Sequence, residues 1–295
     1  MAEIPLPAGC ITCYFVRHGE RIDHIDDTWA ATSPTPYDPP LTSDGHKQAR
    51  KTGHLIRELE TEAADGLPDA QEALEQTEYH ILTSPFLRCV QTADELFRGF
   101  QEQHAVSAHR PIDWHLALEP GLSELMNDSY FDEQVPNTVI ISRKSEIEGK
   151  LLCQDMVYNE QYTPARSLLP VYPEDFQSMM ARFVSTLDYA TTFHLGQVSL
   201  GTIGSAFPRD SGAGSKHRAK RRVLIFVTHG AGINSLLWAT TVRPGGNDVP
   251  YCCVSRAKVV SRKSSDPLPE FGSSRIPVYT WSVDYRAYAK HLAAL

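Results

Sequence analysis

The sequence has no long apolar run. Across 295 residues, no stretch approaches the ~20 apolar residues needed to span a bilayer. Its start, Met1-Ala-Glu-Ile-Pro-Leu-Pro7, has neither the basic opening nor the apolar segment of a secretory leader. Both absences predict a protein away from membranes, cytoplasmic or nuclear and not secreted. Positive charge is also scarce, with 28 Lys and Arg against 36 Asp and Glu and a net charge of −8. That balance argues against general nucleic-acid binding, so an anionic ligand must be met by a local cluster of cations. Six cysteines lie scattered at positions 10, 13, 89, 153, 252 and 253. Cys10 and Cys13 form a C-x-x-C without a second pair at ligand spacing, which predicts buried, reduced thiols. Paired carboxylates and His/Asp sets at cation-ligand spacing are missing as well, and no internal repeat is visible.

What is present is one histidine set between arginines. Arg17-His18-Gly19 directly follows the apolar run Ile11 to Val16 and continues as Glu20-Arg21. A strand should end there and a loop begin. A neutral imidazole offers a nucleophilic nitrogen, and guanidinium groups grip phosphate oxygens in a planar fork. The tripeptide alone is weak, but three further pieces of the same chemistry follow. Arg88 lies in Thr83-Ser84-Pro85-Phe86-Leu87-Arg88, Glu124 in Glu119-Pro120-Gly121-Leu122-Ser123-Glu124, and His229-Gly230 after Val223-Leu-Ile-Phe-Val-Thr228.

The order of elements tells where these pieces should meet. Strands are predicted at Ile11–Val16, Tyr79–Thr83, Pro111–Trp114, Val223–Thr228, Cys252–Val260 and Pro277–Ser282, with a weaker one near Val139–Ser142. Helices are predicted from Thr42 or Ser43 to about Glu60, from Ser84-Pro85 to about Phe100, from Tyr172–Asp175 to Ala190, and over Ile233–Thr240. Val223–Thr228 is apolar enough to be central and buried on both faces. Strands alternating with helices predict an α/β fold of three layers, a mostly parallel central sheet flanked by helices. One domain over 1–295 is expected, with an inserted cap or lid over 127–172 and a flexible Gly/Ser-rich loop over 196–222. In such sheets ligands collect at the carboxyl ends of the strands. His18, Arg88, Glu124 and His229 all fall on that edge, each alone unremarkable and together a catalytic constellation. Glu119 competes with Glu124 as the acid.

These stretches resemble the histidine phosphatase superfamily, with its phosphoglycerate mutase-like fold. Within it they are most similar to the phosphatase domain of the suppressor of T-cell receptor signalling proteins, which carry ubiquitin-associated and SH3 domains. The resemblance rests on Val16–Asp23, Asp38–Thr42, Ser84–Ala93 and Glu119–Leu122, and more weakly on Tyr162–Phe183. Ser123 and Leu125 stand where that family has aromatic residues beside the acid, and His229-Gly230 replaces a His-Ala pair. The resemblance implies a metal-independent phosphatase without cofactor. His18 would attack phosphorus, Arg17, Arg21, Arg88 and His229 would hold the phosphoryl oxygens, and Glu124 would serve as general acid and base. Arg21, where mutases commonly have a small residue, points to phosphotyrosyl or other aryl phosphates. Phosphate- or vanadate-type anions should occupy the site, and a homodimer is compatible with the sequence.

Two rival readings stand beside this one. A sugar or other metabolite phosphate could be the substrate, depending on the cap. Alternatively, the fold could serve as a scaffold subunit of a nuclear transcription complex, a reading favoured only by the basic stretch Lys216–Arg222.

Overall fold

The computed structural model of this protein describes residues 3–5, 11–64, 76–104, 112–129, 131, 138–164, 169–200, 221–243, 246, 248–263 and 278–293. Among them, eight strands form one sheet: β1 Glu3–Pro5, β2 Ile11–Arg17, β3 Glu78–Thr83, β4 Trp114–Leu118, β5 Val157–Tyr158, β6 Arg222–Thr228, β7 Val254–Lys263 and β8 Tyr279–Tyr288. The order across the sheet is β1-β7-β2-β6-β3-β4-β5, with β8 on β7. From β2 to β5 all neighbours run parallel, whereas β7 pairs antiparallel with β1, β2 and β8. The helices are α1 Trp29–Thr32, α2 Ser43–Ala64, α3 Leu87–His104, α4 Thr138–Glu148, α5 Phe176–Leu200 and α6 Gly230–Thr241. This is the mostly parallel, helix-flanked sheet expected of a phosphoglycerate mutase-like fold. No described helix is long and apolar enough to cross a membrane.

Period-two alternation divides the two cores. Along β2, Ile11, Cys13 and Phe15 face the layer of α5 and α6, while Tyr14 and Val16 face that of α2 and α3. Along β6, Leu224 and Phe226 take the first side and Val223, Ile225 and Val227 the second. Both strands are therefore largely apolar, as central parallel strands are. Burying side chains on both faces fixes the register, because a one-residue slip would exchange every side chain between layers.

Several expectations shift. The third strand is Trp114–Leu118, beginning where the expected strand ended; Pro111 lies outside the described residues. Trp114, Leu116 and Leu118 turn into the α2/α3 layer, so the alternation continues beyond the turn-like Pro111. The segment Val139–Ser142 is helix, not strand. Its β-branched run favours a strand locally, but Arg143 and Ile147, one helical turn apart, are both buried against the body. That docking overrides the local preference. Helix α5 continues to Leu200 rather than ending near Ala190. The adjacent Thr191-Thr192 looks like a break, yet Thr191 and His194 are buried inside the helix. The expected loop 196–222 is thus helical to residue 200 and strand at Arg222, while 201–220 lie outside the described residues. Segment 127–172 contains α4 and also returns to the sheet, with β5 pairing alongside β4.

Candidate active site

The carboxyl ends of β2, β3, β4 and β6 bring the sequence-identified residues to one place. The His18 amide donates to the Thr228 carbonyl (2.9 Å), the Ser84 amide to Val227 (3.0 Å) and the Glu119 amide to Thr83 (2.8 Å). Backbone pairing thereby runs on past the strand ends and holds the loops together. Behind His18, the chain packs too tightly for any side chain at Gly19. A Cβ there would lie 2.6 Å from the Gly45 carbonyl oxygen at the start of α2. The Gly19 amide donates to Thr92 Oγ1 (3.0 Å), whose hydroxyl donates on to the Arg88 carbonyl (2.7 Å). The loop of His18 and the helix of Arg88 are thus tied through one threonine.

His18 is buried, with Nδ1 2.8 Å from the Gly19 carbonyl oxygen. Nδ1 must then carry the proton, which leaves the Nε2 lone pair free. Burial, and then the Arg88 charge, hold the imidazole well below its ordinary pKa, against the opposing pull of the Gly19 carbonyl. His18 is therefore neutral and nucleophilic. The ring of His229 lies 5.3 Å from that of His18. Burial and the Arg88 charge keep His229 neutral too.

Two orientations of the His229 proton are available. Arg88 Nη2 lies 3.2 Å from Nδ1, and Ser84 Oγ lies 2.9 Å from Nε2. With Arg88 donating to Nδ1, the Nε2–H donates to Ser84. Since a hydroxyl can donate or accept, Ser84 can also donate to Nε2, freeing an Nδ1–H for a phosphoryl oxygen. Sequence reasoning named Ser84 only as part of a helix start, and nothing in the sequence marks it as the partner of His229.

The guanidinium groups are the distinctive feature. Arg88 is fully buried, yet among the described residues its Nε and Nη1 have no hydrogen-bond partner, and neither does Arg17 Nε. Buried donors without acceptors are costly unless a ligand satisfies them. Arg17 is fixed by donation from Nη1 to the Val249 carbonyl and by stacking 4.3 Å over the Tyr251 ring. Arg88 lies 4.6 Å over Phe86. Both planes are held, and the donors they leave free are of the kind that grips an anion. Arg21 differs: its Nε and Nη2 donate to the two carboxylate oxygens of Asp23. It stands close enough for its charge to depress His18, His229 and Arg88, but its fork is already occupied.

The two candidate acids separate clearly. Glu124 Oε2 lies 3.4 Å from His229 Nδ1, on the site. Glu119 is wholly buried and turned inward, accepting from the Gly121 amide (2.8 Å) and from the Tyr162 hydroxyl. Burial raises its carboxyl to about 7, against the pull of those two hydrogen bonds. Glu119 caps the turn Pro120–Leu122 that presents Glu124.

Other site neighbours were missed by sequence reasoning. Tyr251, 5.7 Å from the His18 ring, also reaches His24 through its hydroxyl; it sits in a loop without a motif. Asp38 accepts from the Leu87 amide (2.7 Å) at the start of α3 and forms a buried pair with Arg143 of α4 (2.6 Å). Asp38 did belong to a stretch carrying the resemblance. Arg143 carries no local signal, because it lies just past a β-branched run that favours a strand.

Residues 13–116 match the family described as the histidine phosphatase superfamily (branch 1). That region holds His18, both neighbouring arginines and Arg88, while Glu124 and His229 lie beyond it. No curated protein matches the sequence. Among solved structures, a phosphoglycerate mutase from Bacillus anthracis str. Sterne is 15% identical at a TM-score of 0.50, covering 97% of this chain and 96% of its own. The ecdysone phosphate phosphatase from Bombix mori, solved with tungstate, is 18% identical at a TM-score of 0.48, covering 89% and 95%. A phosphoserine phosphatase from Entamoeba histolytica is 13% identical at a TM-score of 0.37, covering 85% and 94%. At these identities the mutase speaks for the fold alone. The family match thus covers residues 13–116, and the fold is similar to that of the phosphoglycerate mutase over nearly the whole chain.

Proposed function

We propose that this protein hydrolyses phosphomonoesters through a phosphohistidine on His18, with aryl phosphates, including phosphotyrosyl groups, as its substrates. The observation that carries this reading is the set of unpartnered guanidinium donors beside a neutral imidazole whose Nε2 is free. In the first step the Nε2 lone pair forms a bond to phosphorus while the ester P–O bond breaks. Glu124 gives its proton to the departing oxygen. In the second step Glu124 takes a proton from water, whose oxygen attacks phosphorus as the P–N bond breaks. The Nδ1 proton of His18 stays on the ring throughout, donated to the Gly19 carbonyl. Arg17, Arg88 and His229 stabilise the charge spreading over the equatorial oxygens, and Arg21 adds to the local field.

The walls of the site support an aromatic leaving group. Tyr251 flanks His18, and the Phe86 ring lies 5.3 Å from His229. Phe86 continues into an apolar cluster with Met126 and Phe131, against which Tyr37, Val139 and Tyr172 pack. Phe131, Val139 and Tyr172 come from segment 127–172, which on this reading acts as a cap that selects the leaving group. A ring can rest on such walls, and its phenolate departs more readily than an alkoxide. This agrees with the resemblance to the phosphatase domain of the suppressor of T-cell receptor signalling proteins. A sugar phosphate would find few polar partners on these walls, and a scaffold would have no use for a complete constellation.

Hydrolysis of p-nitrophenyl phosphate in chelator, by the wild type beside His18→Ala, tests the proposal. Turnover by the wild type that vanishes in the variant supports it. No turnover by folded wild type across a pH series would refute it and favour the scaffold. Phosphotyrosyl peptides compared with sugar phosphates then test the substrate class: higher kcat/KM for the sugar phosphates would overturn that part.

A further inference from the structure

The loop that presents Glu124 is held by a buried ion pair that touches none of the reacting atoms. Arg182, on α5, is 6% exposed, and Glu174, just before that helix, is equally buried. Arg182 Nη1 donates to the carbonyls of Gly121 (2.7 Å) and Ser123 (3.0 Å), and Nη2 to that of Glu124 (3.3 Å). The carbonyl between them, Leu122, accepts from Thr228 Oγ1 at the end of β6 (2.6 Å). Four consecutive carbonyls, from 121 to 124, are thus fixed by side chains of other elements.

Glu174 completes the grip on both sides. Its carboxylate accepts from Arg182 Nε and Nη2, each at 2.7 Å. It also accepts from the Met126 amide (3.3 Å), while its own amide donates to the Met126 carbonyl (2.6 Å). The loop lies as close to the helix as it can: a Cβ on Gly121 would fall 2.2 Å from Thr186 Oγ1, one turn beyond Arg182. Two charges buried this deeply are a poor device for stability alone, since an apolar pair of similar volume often serves as well. What the fork supplies is direction, several donors in one plane aimed at one short segment.

We propose that Arg182, oriented by Glu174, is a positioning residue for Glu124, and that this clamp sets how basic a leaving group the enzyme can expel. The inference rests on the proposed role of Glu124 as general acid. An alkoxide departs only with its proton, so the carboxyl must lie within hydrogen-bond reach of the ester oxygen. A p-nitrophenolate departs with little help. Loosening the loop should therefore penalise alkyl phosphates selectively.

The test compares β-glycerophosphate with p-nitrophenyl phosphate for the wild type, Arg182→Lys, the charge-free pair Arg182→Met with Glu174→Gln, and Glu124→Gln. Lysine keeps the charge but cannot reproduce the fork. We expect the alkyl-to-aryl ratio of kcat/KM to fall about tenfold or more in Arg182→Lys, through kcat rather than KM, and further in Glu124→Gln. Where Arg182→Lys fails to fold, the charge-free pair decides by the same ratio. Equal losses on both substrates, or no loss, in a folded clamp variant would overturn the proposal while Glu124→Gln still shifts the ratio. An unchanged ratio in Glu124→Gln would instead remove Glu124 as the acid, and the clamp's role with it.

Discussion

Two edges of one sheet carry nearly the same residue types and differ in what those residues leave unsatisfied. At the carboxyl ends of the parallel strands stand His18, His229, Arg17 and Arg88. At the amino ends His80, His115 and His194 gather with Arg222 and Glu78 around a cavity of about 420 Å³. The His80 ring is stacked 4.9 Å from His115 and lies 4.3 Å from His194, and burial lowers the pKa of both His80 and His194. Arg222 is taken up there: Nε donates to Glu78 (2.7 Å) and Nη1 to the His194 carbonyl (2.6 Å). At the opposite edge Arg17 Nε and Arg88 Nε and Nη1 have no acceptor among the described residues. Parallel strands also direct the N-terminus of α6 to that edge alone, immediately after His229. Histidine and arginine beside a cavity do not by themselves make a phosphate site. What sets the carboxyl edge apart is that unpartnered cationic donors gather there beside a neutral imidazole.

Exchanging the histidines should give the largest effect. His18→Ala should reduce hydrolysis of p-nitrophenyl phosphate to background, whereas His115→Ala at the opposite edge should stay within about twofold of wild type. Comparable losses from both would mean that the edges are not functionally distinct. Among the arginines, Arg88→Ala should cost about 10²–10³ in kcat, the scale for a preorganised donor to a developing charge. Arg21→Ala should cost less, because Asp23 already occupies its fork. Arg222→Ala should lower Tm and leave kcat/KM in place. A loss at Arg21 equal to that at Arg88 would contradict the assignment of free and occupied forks.

The smallest effect falls on stability rather than rate, at Glu119. Burial raises its folded pKa from 4.5 to about 7, so folding favours the protonated form. The stability this contributes is complete below about pH 4.5 and lost as pH rises through about 7. Glu119→Gln keeps a neutral group in that place. Its stability relative to wild type should therefore increase between those two pH values, by on the order of 3 kcal/mol. Denaturant titrations across that range check this. A difference that stays flat with pH would show that Glu119 is charged in the folded protein, and Glu119 would return as a rival to Glu124.

Much of this arrangement was legible in the sequence, for a physical reason. Cys13–Val16 and Val223–Val227 are buried on both faces, so apolar residues run on through them and a histidine follows each strand end. His18, Arg88, Glu124 and His229 could be placed on one edge from strand order alone. Contacts between distant segments were not legible. Arg182 and Glu174 hold the acid loop across 48 to 61 residues of chain, and the weak resemblance over Tyr162–Phe183 does not say what they touch. Tyr251 reaches the site from a turn with no periodicity. Helix α4 misled the reading because its first residues are β-branched and its docking residues, Arg143 and Ile147, point to partners far away in sequence. Periodicity reports which face is buried, and says nothing of which buried polar group meets which.

On the proposed mechanism a neutral His18 becomes the covalent carrier of phosphate. Rapid quenching of the wild type with a phosphate ester into alkali, followed by mass spectrometry of the digested protein, tests it directly, because phosphohistidine survives base. A phosphoryl group is expected on the peptide bearing His18, present during turnover and absent in His18→Ala. Label on another residue, or rapid turnover that never labels His18 at any quench time, would contradict it.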